Sequence, residues 1–428
     1  MREGIKNFMK EMEAGLAGVS SLPMLPTYLG IEEAEPDSSP ILVIDAGGTN
    51  LRIVKVQLGE SGLTVLDSIK DRMPGTGTPI SSEELITELV NRMEQMLDGV
   101  ECCGFCFSYP AEILENRDGK VISFCKDVTV TGSEGMLLGE ALNQELRRRG
   151  KAPLKICVLN DTVATYFGGI SELAPKTHAS AIGMILGTGM NSCYVERAEN
   201  IKKINASYDM LINIEAGKYK LVEMQDYDRE VDRNSGNPGE GLMEKQISGA
   251  YLGSVVYYAL LQNLQESSTQ PSEPETQQDS SGQPSEPETQ LSGDLRNRLL
   301  AKGSISTEEI SLFSADPDGT NALAQLCASQ EEKELILAVI DNVVDRAARL
   351  VAEHLAAVME HCNTGKSRTE PAVIIMEGST WQKFEALQDR IKYYAHQIIT
   401  LEQGRYFRFH EVESSNLIGS AAAAVRQN

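Results

Sequence analysis

The sequence predicts an α/β protein of two domains, and three observations carry that reading. Two apolar strands each run into a short glycine turn and return as a second strand, at 41–58 and at 181–196. Further apolar runs stop abruptly at polar residues and alternate with amphipathic helical stretches. The chain has 428 residues, more than one hydrophobic core usually supports.

The elements follow in order. Ile5, Phe8, Met9, Met12 and Leu16 recur at helical spacing and predict an amphipathic helix. Ile41-Leu42-Val43-Ile44 reads as a buried strand that Asp45 ends. Gly47 and Gly48 allow a tight turn with free amides, and Ile53, Val54, Val56 and Leu58 resume the apolar pattern. A carboxylate, two glycines, Thr49 and Arg52 at one hairpin suit a magnesium-bound polyphosphate. The turn amides and Thr49 can donate to phosphate oxygens, Arg52 can add charge-assisted bonds, and Asp45 can hold the metal's water shell. Taken alone, an ordinary Asp-Gly-type hairpin reads the same way.

A helix is expected from Ser81 to Leu97, with Ser81 or Ser82 as its N-cap. The strand Cys102–Phe107 runs into Ser108-Tyr109-Pro110, where proline ends it. A short strand at 119–124 and a helix at 136–148 come next. The strand 154–159 stops at Asn160-Asp161-Thr162, before a helix starting near Val163. The second hairpin pairs 181–186 with 191–196 around Gly187-Thr188-Gly189. Its grammar matches the first, which suggests two related halves clamping one nucleotide. Leu211-Ile212-Asn213-Ile214 leads to Glu215. After Asn237-Pro238-Gly239 one helix is expected from Leu242 through Leu264, with Glu244 in its first turn. A long helix at 331–359, a strand at 372–376 ending in Glu377-Gly378-Ser379, and an alanine-rich helix starting at Gly419-Ser420-Ala421 close the chain.

Residues 266–290 differ in kind. Gln270-Pro271-Ser272-Glu273-Pro274-Glu275-Thr276-Gln277 recurs at 283–290. A tract of Pro, Ser, Glu and Gln cannot build a core and is expected to be a disordered insertion.

Composition narrows the function. Lys and Arg number 39 against 62 Asp and Glu, a net charge of −23, with 41% hydrophobic residues. That balance argues against nucleic-acid or anionic-membrane partners and points to a soluble cytoplasmic protein. No apolar run suffices to span a bilayer, and no signal-peptide pattern opens the chain. The eight cysteines are scattered and read as reduced thiols. Cys103 and Cys106 form a C-x-x-C only formally, since strand geometry sends them to opposite faces. The five histidines show no metal-ligand grouping; His354 and His361 read as core or surface residues.

Read together, these stretches resemble the hexokinase family. Asp45-Ala46-Gly47-Gly48-Thr49-Asn50-Leu51-Arg52 is similar to its first phosphate motif, and Gly104-Phe105-Cys106-Phe107-Ser108-Tyr109-Pro110 to its sugar-loop signature. Asn160-Asp161-Thr162-Val163-Ala164-Thr165 resembles the catalytic-aspartate motif, and Gly187-Thr188-Gly189-Met190-Asn191-Ser192-Cys193-Tyr194 the second phosphate motif. Asn237-Pro238-Gly239 with Glu244-Lys245 and Ser248-Gly249-Ala250-Tyr251-Leu252-Gly253 resembles the sugar-binding helix region.

The resemblance implies an actin-like ATPase (ribonuclease H-like) fold, two lobes around a central cleft. It puts 40–160 plus 413–428 in the small lobe, and 1–39 with 161–412 in the large lobe. It implies transfer of the ATP γ-phosphate to the 6-hydroxyl of a hexose, glucose foremost, with Mg2+, the entry step of glycolysis. Carried over by position, the sugar contacts are Ser108, Lys126, Asn160, Asp161, Asn191, Glu215 and Glu244. The nucleotide side is Asp45, Gly47, Gly48, Thr49, Asn50, Arg52, Gly187, Thr188 and Gly189, with Gly378 and Ser379, and Asp45 holds the metal through water. Asp161 is the general base, with Arg52 and Lys126 completing the catalytic set. Four positions depart from the family pattern. Cys125 stands for the threonine before Lys126, Ala216 for an aromatic, Glu377 for an aspartate, and Ser415-Asn416-Leu417-Ile418-Gly419 for a glycine-rich turn.

Other readings stay open. Asn160-Asp161-Thr162 also suits a helix N-cap, and Glu244 a dipole-favourable acid. A kinase of mannose, fructose or an amino sugar, a sugar sensor with little turnover, and an actin-like or chaperone-like ATPase are the alternatives. The retained Asp161, Thr49, Thr188 and Arg52 argue against the sensor. Asn160, Glu215 and Glu244 argue against the ATPase.

Overall fold

The computed structural model describes residues 2–31, 39–48, 50–59, 62–124, 128–173, 177–266 and 288–426. Thr49, Cys125, Lys126 and most of the repeat-bearing tract at 266–290 therefore lie outside the described residues.

Helix α1 (Glu3–Leu16) buries the predicted stripe of Ile5, Phe8, Met12 and Leu16. After the two-residue β1 (Leu25–Pro26), β2 (Ile41–Ala46) and β3 (Asn50–Gly59) form the first hairpin, and β4 (Gly62–Arg72) extends it. β5 (Ile80–Ser81) leads into α2 (Ser82–Met93), which Ser81 and Glu84 close with a reciprocal capping box. The predicted helix to Leu97 ends instead in one 3-10 turn at 94–96. β6 (Cys102–Phe107) is followed by a small pair, β7 (Ala111–Ile113) and β8 (Gly119–Val121). The strand expected to reach 124 stops at Val121, because the amide of Ile122 turns to the carbonyl of Pro110 at 3.0 Å. β9 (Val130–Thr131), α3 (Leu138–Arg148), β10 (Lys155–Leu159) and α4 (Asp161–Glu172) complete this part.

The second part opens with the hairpin of β11 (Ser180–Leu186) and β12 (Met190–Glu196), then β13 (Met210–Asn213) and α5 (Asp226–Arg233). The single helix expected over 242–264 is two, α6 (Glu244–Ile247) and α7 (Leu252–Glu266). The chain breaks because the amides of Gly249 and Ala250 turn to the carbonyls of Gly187 at 2.8 Å and Thr188 at 3.1 Å. No side chain fits there: a Cβ at 249 would meet the Thr380 hydroxyl and the Gly187 carbonyl. α8 (Glu288–Lys302), α9 (Thr307–Ala315), α10 (Ala322–Leu326) and the 32-residue α11 (Gln330–His361) follow. β14 (Ala372–Glu377), α12 (Ser379–Lys383), α13 (Glu385–Ala395), β15 (Phe407–Glu411) and α14 (Ser415–Val425) end the chain. The last helix starts one turn before the expected Gly419. Leu417 is buried in its first turns, and Ser414, at φ 56°, makes the turn into it.

The five-stranded sheet has the order β4-β3-β2-β6-β10, and the six-stranded sheet β1-β13-β12-β11-β14-β15. From the hairpin outward the two share one plan. An antiparallel hairpin (β3-β2, β12-β11) is joined by two parallel strands (β6-β10, β14-β15). Apolar residues of α2 and α3 pack on the five-stranded sheet, and those of α1, α7 and α11 on the six-stranded one. α4 and α14, each following the last parallel strand of its sheet, pack together between the two. Their backbones touch: a Cβ at Gly419 would overlap the Ala164 carbonyl, and one at Gly168 would lie 2.7 Å from the Ser415 carbonyl. Cys103 and Cys106 enter cores on opposite faces, and the described cysteines are free thiols. His354 is buried with Nε2 2.8 Å from the Ser192 hydroxyl, and His361 pairs with Glu196 at 2.5 Å. Among the described residues no helix is long and apolar enough to cross a membrane.

Candidate active site

Parallel register brings the first set of polar residues to one sheet edge. Asp45 lies beside Cys106 on β6 and opposite Arg52 on β3, and Leu159, beside Cys106, precedes Asn160 and Asp161. Asn160 caps α4, its Oδ1 accepting from the Thr162 amide at 2.9 Å. The Asp161 carboxylate accepts from that same amide at 2.8 Å. The chain turns at Gly47, whose amide donates to the Asn50 carbonyl at 2.9 Å. The Tyr109 hydroxyl donates to the carbonyls of Gly47, 2.6 Å, and Gly48, 3.1 Å.

The second sheet mirrors this edge. The amide of Gly187 donates to the Gly189 carbonyl at 2.9 Å, and the Thr380 hydroxyl to the Gly187 carbonyl at 2.8 Å. Glu377, beside Ile185 in the parallel register, ends β14 and leads to Gly378 and Ser379. The Thr165 hydroxyl donates to Glu377 at 2.8 Å and lies 3.2 Å from the Ser415 hydroxyl.

Three carboxylates converge where the two edges meet. Burial, then the charge of Asp161, pushes the Asp45 carboxyl up to about 6, against the thiol of Cys106 and the charge of Arg52. Burial also drives Glu377 up to about 7; Thr165 opposes, and Asp161 and Asp45 add to the rise. Asp45 Oδ1 is buried with no hydrogen-bond partner. Unmet negative charge and an orphaned oxygen fit a cation held nearby. Among the described residues no group of three or more His, Cys, Asp or Glu side chains could ligate a metal directly.

The residues expected to meet a sugar gather beside this point. Ser108, Asn160, Asn213 and Glu215 line a cavity of about 150 Å³ together with Phe107, Pro110 and Lys218. Asn191 Nδ2 donates to Asn213 at 2.7 Å, Glu215 at 3.3 Å and Asn160 at 3.5 Å. Glu215 holds a left-handed backbone at φ 58°, a strained state for a non-glycine residue, of a kind that clusters at binding sites. Glu244 sits apart from the cavity lining. Its Oε2 accepts from the Met190 amide at 3.0 Å, under the Gly187-Thr188-Gly189 turn. Thr188 and Ser379 open onto a groove of about 430 Å³ between α9, α12 and the 249–250 break.

Three residues at this site are given no role by sequence reasoning. Asn213 ends the apolar strand β13 and looks like filler. Tyr109 reads as part of a loop, and Glu377 as a loop entrance. Each leaves a trace without a role: Asn213 is a polar residue among Leu211, Ile212 and Ile214, Tyr109 falls within the sugar-loop stretch, and Glu377 stands for an aspartate.

Hexokinase family models match residues 1–170 and 181–426. Hexokinase-2 of Homo sapiens is 28% identical over 414 residues, 90% of this chain and 42% of that protein. The chain thus spans about two fifths of the length of that relative. Hexokinase-2 of Oryza sativa subsp. japonica is 28% identical over 410 residues, 87% of this chain and 77% of that one. The hexokinase from Schistosoma mansoni complexed with glucose has the same fold. Its TM-score is 0.77 at 22% identity, over 99% of this chain and 94% of that one.

Proposed function

The chain belongs to the hexokinase family, with its actin-like ATPase fold, and on that premise we propose that it phosphorylates a hexose, glucose foremost, from ATP. The observation that carries the reading is the position of Asp161. It follows Asn160 of the sugar-sized cavity and lies within electrostatic reach of Asp45 and Glu377 on the phosphate side.

The chemistry then follows from the side chains. Ser108, Asn160, Asn213 and Glu215 offer both donors and acceptors to sugar hydroxyls. Asn191 and Asn213 hold the Glu215 carboxylate in place. Asp161 takes the proton of the 6-hydroxyl as that oxygen attacks the γ-phosphorus, and the bond to the β-phosphate oxygen breaks to release ADP. The amides of Gly47 and Gly187 are taken within their own turns, by the carbonyls of Asn50 and Gly189; the amides of Gly48, Thr188 and Gly189, with the side chains of Asn50, Arg52 and Thr188, face the phosphates. The groove beyond Thr188, Gly378 and Ser379 takes the nucleoside. Magnesium, when bound, neutralises charge on the transferring phosphates, and Asp45 would hold it through water. Thr49 and Lys126 keep their proposed phosphate and sugar roles by family position. The same family position gives Glu244 a sugar contact, and its bond to the Met190 amide supports a second role in shaping the turn.

The test is Asp161→Asn. Asparagine serves about as well as aspartate at a helix start but cannot accept the proton. Turnover by coupled ADP release should fall about 10²–10⁴-fold, while calorimetric glucose affinity changes far less. Near-wild-type turnover would remove Asp161 from the mechanism.

A further inference from the structure

The cavity proposed for the hexose carries one cation among its described lining residues, Lys218. Its position is built in by the backbone. Glu215, in its left-handed conformation, starts a 3-10 turn over 216–218. The Lys218 amide donates to the Glu215 carbonyl at 2.9 Å. That turn folds the lysine back over the carboxylate three residues earlier, and Nζ lies 3.2 Å from Glu215 Oε2. The other oxygen, Oε1, accepts from Asn213 at 2.9 Å and Asn191 at 3.3 Å.

The consequence is a matter of charge. Alone, Glu215 would draw a cationic ligand into the cavity. With Lys218 against it the pair is neutral, and an incoming ammonium meets a lysine at short range. Neutral hydroxyls lose nothing by this, since the carboxylate still accepts hydrogen bonds. We propose that Lys218 is a specificity determinant that turns the cavity toward neutral hexoses and against amino sugars in their ammonium form. This rests on the hexose-kinase reading and narrows its substrate class. The lysine side chain is 44% exposed, so solvent screens the effect, which should amount to roughly a three- to tenfold change in selectivity.

The test compares glucose, 2-deoxyglucose and glucosamine in wild type, Lys218→Met and Lys218→Arg. Lys218→Met should raise the glucosamine-to-glucose ratio of kcat/KM by roughly three- to tenfold, chiefly through a lower KM for glucosamine. The neutral 2-deoxyglucose ratio should stay put, and Lys218→Arg should behave as wild type. An unchanged glucosamine ratio in Lys218→Met would overturn the proposal. So would an equal movement of the 2-deoxyglucose ratio, which would mean shape rather than charge. Loss of ADP release with every sugar in wild type would overturn the kinase reading instead, and the same ratios taken as calorimetric affinities would still decide the role of Lys218.

Discussion

Tyr109 donates its hydroxyl to the carbonyl of Gly47 at 2.6 Å and so ties the loop after β6 to the turn after β2. One side of this tie belongs to the cavity proposed for the sugar, which Tyr109 also lines; the other is the proposed phosphate hairpin. A second bond to the Gly48 carbonyl, 3.1 Å, fixes both carbonyls on one side. The Gly47 amide is itself held by the Asn50 carbonyl at 2.9 Å, so the turn is fixed from both ends.

Tyr109→Phe removes both donations and keeps the ring, whose centroid is 4.8 Å from Phe124 and 5.1 Å from Phe107. The stability loss should be small, about 1 kcal/mol. KM for ATP should rise severalfold with little change in KM for the sugar. Steady-state kinetics with each substrate varied in turn checks this. Two unchanged KM values would show that other contacts hold the hairpin.

Gly249→Ala tests the break between α6 and α7. The added methyl meets the Gly187 carbonyl at 2.8 Å as well as the Thr380 hydroxyl. The break must shift off the hairpin, at a cost of about 1–3 kcal/mol, and KM for ATP should rise. Gly236→Ala, where a Cβ has nothing within 4 Å, should leave both measurements alone. Urea midpoints and KM for ATP on the two variants make the comparison.

The elevated carboxyl of Glu377 predicts a pH dependence. The native state binds its proton more tightly than the unfolded chain does, up to about 7 against an ordinary 4.5. The stability this lends is fully present below the unfolded value and is lost as pH rises through the native one. From about pH 5 to about pH 8 wild type should lose on the order of 1–2 kcal/mol relative to Glu377→Gln. Thermal melts of both proteins across that range read the difference. Parallel curves would mean that Glu377 titrates normally.

Much of the architecture was legible because strands buried on both faces are written as continuous apolar runs: Ile41–Ile44, Cys102–Phe107 and Ile374–Met376 each stand where their strand forms. The α6–α7 break was not. Ile247, Leu252, Val255 and Val256 keep an apolar run across it, and the cause lies far away in sequence, in the bonds of Gly249 and Ala250 to Gly187 and Thr188. Still greater distances in sequence hide the carboxylate cluster. Nothing local to Asp45 or Glu377 announces that the parallel registers set both near Asp161. The residues proposed to meet the sugar came from resemblance alone, and the structure adds what ties them: Asn213 bridges Asn191 and Glu215. The change from aspartate to glutamate at 377 has a partner here in Thr165. Nothing in the structure explains Ala216 in place of an aromatic.

The contact between α4 and α14, where Gly168 and Gly419 let two backbones meet and the Thr165 and Ser415 hydroxyls lie 3.2 Å apart, would serve as an axle for any tilt of one sheet against the other. It starts at Asp161 and Ser415, beside the groups proposed to react. Leverage then divides the molecule: a small tilt hardly changes spacings near the axle yet swings the distant rims of the two sheets widely. Access would thus be decided at the rims and alignment at the axle. A bulky side chain at Gly419 would act as a wedge, disturbing sugar and nucleotide together while touching neither.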